Sequence, residues 1–518
     1  MTTRSWNAER ARQRIDATIA SLPLTSIEIK SYLRDADLGN IANNVAFRVD
    51  GVHLYVDILN LNEMLNVTDV EGERCHRHTL RFLNLHYRGV ARVLAGVDAL
   101  FVDFHNQRLH AVIAKPYDSE HKRLHRAIAI AQLITQVLGR TGEDADHPAA
   151  VVRVGIDTGK ALAVNNGRRG HREPLFLGEP ANHAAKRSGG GSVPGIYLTH
   201  HARSVLRLAP VADDDLAPLS WIDIAASEHA AALSVSADDI IRDWKNDLAV
   251  NPIGTFGFSG HTPPFRDLDF ESLSVKNSRR QSAATIYADI DGFTNFVAAN
   301  IHTELGAKAV VRALHVLRSE LDAVLYEDFS GRKVRFIGDC IHGLLGEGTA
   351  QTTDAEKTIN TMMLCAGGMR SSFELAVQRL GAQGMLVGTL GLQIGFEFGP
   401  MTATRLGIKG ELVRCSVSRG VLTAEKVQSR CRGNETAIGP VALSHANAAV
   451  KGIFAKSPRR AGLTYPTVIN ELSQGSNHIA KAALEGVPSA LLKPAAVGAA
   501  SSGFPNQRVT PAKPAGFA

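Results

Sequence analysis

One pattern runs through this chain twice, and it constrains the fold more than any other feature. An apolar, β-branched run ends on a carboxylate; a long amphipathic helix, a tight hairpin, a second helix and a further apolar strand follow. The first pass goes from Val52-His-Leu-Tyr-Val-Asp57-Ile58 through helix 71–95, hairpin strands 99–104 and 109–114, helix 121–138 and strand 151–157. The second goes from strand 284–290 through helix 304–325, hairpin strands 333–338 and 340–345, helix 354–380 and strand 391–398. Strand runs with a period near two and helices with a period near 3.6 alternate in the same order both times.

A strand-helix-strand-strand-helix-strand order is a ferredoxin-like unit. Two such units explain most of the 518 residues, a length that exceeds what one core ordinarily supports. The expected fold is α+β, with two βαββαβ domains packed together within one chain. The expected division is a helical leader over 1–48, a first copy over 49–205, a linker over 206–280, a second copy over 281–445 and a largely disordered tail over 446–518. The linker carries a strand-like Trp221-Ile-Asp-Ile, a short helix near 238–248 and Gly/Pro-rich 251–265. The tail is rich in Ala, Pro and Gly.

Composition narrows the function classes. Residues are 44% hydrophobic and 21% charged, with no uninterrupted apolar run of membrane-spanning length and no apolar core near the N-terminus. A cytoplasmic protein with no membrane partner is expected. The net charge of +6 is scattered and largely balanced, which argues against nucleic acid as a partner. The five cysteines, at 75, 340, 365, 415 and 431, lack close Cys-x-x-Cys pairing and read as packed thiols.

The two strand ends of the second copy carry the chemistry. Ala284-Thr-Ile-Tyr287-Ala-Asp289-Ile290-Asp291-Gly292-Phe293-Thr294 stops at carboxylates and a glycine, and Lys333-Val-Arg-Phe-Ile-Gly338-Asp339 places a second carboxylate at a hairpin tip. Two carboxylates on neighbouring strand ends, flanked by glycines that admit close backbone approach, suit hard divalent cations carrying nucleotide phosphates. Asp291-Gly292 alone would be read as a simple turn. The ordered pair, joined by one amphipathic helix, is more specific.

On Tyr287, Asp289, Ile290, Gly292, Phe293, Thr294, Gly338 and Asp339 the chain resembles the class III nucleotidyl cyclases. The first copy adds Gly178-Glu-Pro-Ala-Asn182-His-Ala-Ala-Lys186-Arg187, which resembles the family's Gly-x-x-Val-Asn-x-Ala-Ala-Arg helix with lysine where arginine is usual. Each copy has lost what the other keeps: Gln107 stands opposite Asp339, and Leu422 stands opposite Asn182. The resemblance therefore implies two cyclase homology domains forming an intrachain pseudo-heterodimer with one composite site. It implies that Asp289, Asp339 and the Ile290 carbonyl hold two Mn²⁺ or Mg²⁺ ions, and that amides of Asp291, Gly292, Phe293 and Thr294 cradle phosphate. Asn182 would orient ribose, Lys186 or Arg187 would stabilise the transition state, and Lys409 would contact polyphosphate. A solvated helix end competes for Lys186 and Arg187, and a solvated side chain for Lys409. Asp57 reads as a structural relic, and the matching His110 and His342 as hairpin packing.

The implied reaction converts a nucleoside triphosphate to its 3′,5′-cyclic monophosphate and pyrophosphate. At the family's adenine-reading positions stand Asp103 and Leu175 instead of lysine and aspartate. Asp103 is expected to accept from a pyrimidine edge and Tyr287 to line the base end. The chain most resembles pyrimidine cyclases of the Pycsar antiphage system, which implies cyclic UMP, with cyclic CMP second, as an infection signal for a cyclic-nucleotide-activated effector. Adenylate or guanylate cyclase, and an inactive nucleotide-sensing homologue, are the alternatives.

Overall fold

The computed structural model describes residues 4–33, 36–166, 174–408 and 412–474. Two sheets dominate it. In the first, the strands run in the order Leu100–His105, Arg108–Ile113, Val45–Ile58, Val152–Asn165, Pro174–Leu177, with Glu28–Ser31 and Gly195–Leu198 paired at the sides. In the second, the order is Arg332–Ile337, Cys340–Leu345, Ser278–Asp291, Gly391–Leu406, Glu435–Ile438, Arg459–Ala461, with Val413–Val417 and Phe258–Ser259 at the sides. Helices Glu73–Gly96 and Glu120–Leu138 pack together in the first copy, as do Glu304–Ala323 and Ala355–Gly381 in the second. Both copies thus have the βαββαβ plan.

The central strands are apolar on both faces, because each sheet is covered by its long helices on one side and by its own short helix, Glu179–Gly189 or Arg419–Gln428, on the other. Ala284, Ile286, Ala288 and Ile290 belong to the core of the second copy, and Val52, Leu54, Val56 and Ile58 to that of the first. The fourth strand of each copy runs further than the sequence pattern suggested, as Val152–Asn165 and Gly391–Leu406, and turns back through a short antiparallel partner. These extensions are crossed arms. Leu162, Val164, Leu175 and Leu177 pack into the second copy's core, while Leu406, Val413, Cys415 and Val417 pack into the first's. Arg318 donates to the Asn166 carbonyl at 2.8 Å, and Gly407 N–H donates to Asn84 Oδ1 at 3.0 Å, so each arm is also hydrogen-bonded to the opposite helix.

Two matching glycines set the helix that follows each arm. A Cβ at Gly155 would lie 2.1 Å from the Ala184 carbonyl oxygen, and one at Gly395 would lie 2.4 Å from the Gln428 nitrogen. Helices Glu179–Gly189 and Arg419–Gln428 therefore rest directly on strand backbone, which fixes the side chains they project between the halves.

Three segments differ from expectation. Trp221–Ala231 is a helix rather than a strand, capped by Ser220 and packed on Glu120–Leu138. Within 206–280 a second helix, Ala237–Val250, buries Trp244 and donates its indole N–H to the Leu85 carbonyl at 3.1 Å, so this connection is built into the first copy. Residues 446–474, placed in the tail by sequence, form helices Ala448–Ile453 and Tyr465–Gln474 that cover Ala355–Gly381 with Val468, Ile469 and Leu472 buried. The leader helix Ala8–Ser21 lies on the second copy through Ala11, Ile15 and Ile19. Arg14 bridges Glu320 at 2.7 Å and Asp328 at 3.0 Å. Among the described residues no helix is long and apolar enough to cross a membrane.

Candidate active site between the copies

Asp289 and Asp339 are brought together and buried, at 4% and 0% exposure. Strand Ser278–Asp291 ends at Gly292, whose φ of 79° starts helix Phe293–Asn300, and the tip Gly338 has φ 59°. Both are left-handed values that favour glycine. Cys340, next to Asp339, has its thiol pushed up by burial and then by the negative charges of Asp289 and Asp339. Two buried carboxylates bearing on one buried thiol gather negative charge at this strand end. The donors are carboxylate and, at Ile290, carbonyl oxygen, a set that fits a hard divalent ion.

Asn182 reaches this cluster from the other copy. It is 1% exposed on helix Glu179–Gly189 and donates from Nδ2 to Thr294 Oγ1 at 2.6 Å, while its Oδ1 is buried with no hydrogen-bond partner. A buried acceptor aimed between the halves is costly unless a donor reaches it, and a ribose hydroxyl is such a donor. Lys186 is exposed one turn further on the same helix face as Asn182. Arg187 lies off that face, ion-paired with Asp214 and, at 2.9 Å, with Asp215 of the connecting region. The transition-state role considered for Arg187 is therefore corrected: its guanidinium is already held elsewhere. Phe293 is fully buried beside Phe296, and the Asp291 side chain lies against Gly433. Lys409 lies outside the described residues.

Asp103 and Tyr287, the two residues expected to read the base, are both engaged where the halves meet. Asp103 is ion-paired with Arg335 of the second copy, which also donates to the Phe104 carbonyl. Its carboxylate joins the halves and is not a free acceptor. Tyr287 is fully buried, clustered with Ile337, Cys340, Val421 and Ala424 of its own copy and facing Asn106, Arg108 and His105 of the other. Its counterpart is Tyr55. Tyr55 stacks on His110 at 4.1 Å and 11°, and Tyr287 on His342 at 4.4 Å and 10°, in matching cross-strand registers. The expectation of hairpin packing for the two histidines thus resolves into a repeated ring stack. Tyr287 meets the Asn106–Arg108 hairpin of the opposite copy, and Tyr55 holds the matching strand position in the first copy. The repeat Tyr55-Val-Asp57 and Tyr287-Ala-Asp289 held that information, but only the crossing of the halves says which tyrosine faces which hairpin.

The first copy's strand end is different. Asp57 is paired in register with Arg108 on one side and Arg153 on the other, where Asp289 has Gln393. Leu422, in the position of Asn182, packs against the first copy's core.

Comparison with known proteins gives a consistent result. Residues 275–454 match the family described as Adenylate and Guanylate cyclase catalytic domain. A uridylate cyclase of Pseudomonas aeruginosa is 51% identical over 93% of this chain and 94% of its own length. A uridylate cyclase of a Rhizobium species is 38% identical over 87% of this chain and 92% of its own length. A crystal structure of a class III adenylyl cyclase-like ATP-binding protein from Pseudomonas aeruginosa superposes with a TM-score of 0.88 at 52% identity, covering 90% of this chain and 99% of that one.

Proposed function

This chain belongs to the class III nucleotidyl cyclases, and on that premise we propose that it is a uridylate cyclase, converting UTP to 3′,5′-cyclic UMP and pyrophosphate at one composite site. The observation that carries the proposal is the hydrogen bond from Asn182 of one copy to Thr294 of the other, beside the buried pair Asp289 and Asp339. The nearness in sequence of two uridylate cyclases over almost the whole chain supports the base.

In this reading the ribose 3′-oxygen forms a bond to the α-phosphorus of its own nucleotide while the bond to pyrophosphate breaks, and the hydroxyl proton leaves to solvent. The nucleophile is tethered, so the protein's tasks are orientation and charge stabilisation. Asn182 holds the ribose. The turn Asp291–Thr294, at the N-terminus of Phe293–Asn300, offers backbone amides to phosphate oxygens. Lys186 stabilises charge on the phosphorus. Asp289, Asp339 and the Ile290 carbonyl would hold two Mg²⁺ or Mn²⁺ ions, which when bound supply Lewis acidity to the hydroxyl and neutralise the polyphosphate. Tyr55 narrows the base end and disfavours purines. The resemblance to pyrimidine cyclases supports placing the enzyme in the cytoplasm as an antiviral signal synthase whose product a cyclic-nucleotide-binding effector reads.

Pyrophosphate release from each of the four nucleoside triphosphates with Mn²⁺, with the product identified by mass spectrometry, tests the reading. UTP is expected to be best, CTP next, and the purines poor. Tyr55→Ala is expected to raise the ATP-to-UTP ratio roughly tenfold, and Tyr287→Phe to leave it unchanged. Turnover of ATP equal to that of UTP, in keeping with the ATP-binding name of the superposed structure, would overturn the base assignment and leave the cyclase standing.

A further inference from the structure

Around Asp57 the first copy holds a cluster that the reaction does not use. Arg108 Nε lies 3.9 Å from Asp57 Oδ1, and its guanidinium is ion-paired with Glu425 of the second copy. His105 Nε2 stands 3.8 Å from the other Glu425 oxygen, and the Tyr287 ring is packed against His105. The side chains of Arg108 and Glu425 are 15% and 8% exposed. Glu425 sits on Arg419–Gln428, the counterpart of the helix that carries Asn182, at the place of Ala185. Arg108 sits at the place of Cys340, the residue that the two metal carboxylates of the second copy both bear upon.

We propose that Arg108 is a positioning residue for catalysis: its guanidinium is a resident cation in the vestigial half-site, clasping the first-copy hairpin to Glu425 so that Asn182 is held over Asp289 and Asp339. The two sides of the interface differ in kind. On the catalytic side, helix and turn meet through the neutral Asn182–Thr294 bond, which a nucleotide can displace. On the vestigial side, they meet through a buried ion pair that nothing needs to enter, reinforced by Arg419, which donates to the Leu65, Thr68 and Asp69 carbonyls of the first copy. The clasp is therefore the fixed edge about which the nucleotide edge is held.

This proposal rests on the composite-site reading, and it predicts a specific kinetic signature. Saturating nucleotide bridges both halves itself and can compensate for a lost clasp, whereas dilute nucleotide cannot. Arg108→Ala should raise KM for the best triphosphate roughly tenfold, with kcat kept within about threefold. Arg108→Lys should fall between, and low-millimolar methylguanidinium should restore KM in Arg108→Ala. The double variant Arg108→Ala/Glu425→Gln, which removes the Glu425 charge together with its partner, should show the same raised KM. A fall in kcat at unchanged KM, unchanged values of both, or recovery of the wild-type KM in the double variant would each overturn the clasp. The measurement uses whichever triphosphate turns over fastest, so failure of the uridylate assignment changes the substrate titrated and not the outcome.

Discussion

Asp57 and Asp289 occupy one position in two copies of the same strand, and their surroundings have drawn opposite consequences from it. Asp289 faces Gln393 in register, and it and Asp339 both bear on Cys340. Asp57 faces Arg108 and Arg153 in register, and its hairpin carries Gln107 where Asp339 would be. One strand end gathers two carboxylates beside a backbone carbonyl; the other has a guanidinium in register on either side. The helices diverge in the complementary sense, with Asn182 on the first copy and Leu422 and Glu425 on the second. Specialisation here consisted less in losing residues than in changing what each carboxylate is paired with.

The sharpest break in this comparison comes from removing each aspartate in turn. Asp289→Ala or Asp339→Ala should lower turnover by about a thousandfold or more with the melting temperature retained, because no neighbour can supply the missing negative charge. Asp57→Ala should leave kcat largely intact. Equal losses from Asp57→Ala and Asp289→Ala in steady-state assays would show that both strand ends serve the reaction. The next largest difference lies on the helices: Asn182→Ala should reduce kcat/KM about a hundredfold and Leu422→Ala by less than about twofold. Titration of folded protein with nucleotide should then give one site per chain, and two would dissolve the asymmetry.

The smallest effect is one of stability against pH. Burial raises the Asp57 carboxyl from 3.8 to about 6, opposed by Arg108. Burial also works to raise Glu425, but Arg108 and His105 outweigh it and lower that carboxyl from 4.5 to about 2. Glu425 therefore carries the charge of the cluster, and its contribution is present throughout pH 5–8. A raised folded-state pKa means that Asp57 costs stability progressively as pH climbs from 3.8 to about 6, and no further above that. Asp57→Asn should be near neutral at pH 4 and stabilising by on the order of 1 kcal/mol at pH 8. Melting curves at the two pH values that show the reverse order would mean that Asp57, rather than Glu425, is the counter-ion of Arg108.

Much of this was legible before the structure. Hydrophobic periodicity located both βαββαβ units because their central strands and long helices are buried on regular faces, and the losses at Gln107 and Leu422 predicted the asymmetry of the halves. What was not legible depended on contacts between distant segments. Whether Arg187 is available is decided by Asp214 and Asp215, and whether Asp103 can meet a base is decided by Arg335, far along the chain. Trp221–Ala231 carries apolar residues at its start that suit a strand, and only its Ser220 cap and its packing against Glu120–Leu138 make it a helix. Which hairpin Tyr287 meets is likewise decided by the opposite copy, through Asn106 and Arg108.

The helices that follow the first copy have a consequence for how the enzyme behaves at low abundance. Trp221–Ala231 and Ala237–Val250 pack on the first copy, and strand Phe258–Ser259 then pairs in parallel with the start of Ser278–Asp291, so the chain hands one copy directly to the other. A partnership joined in this way is governed by an effective local concentration rather than by mass action between separate molecules. Specific activity should therefore stay constant on dilution, where a cyclase assembled from two free subunits would lose it as its subunits came apart. A handful of copies in a cell would respond as fully, molecule for molecule, as thousands.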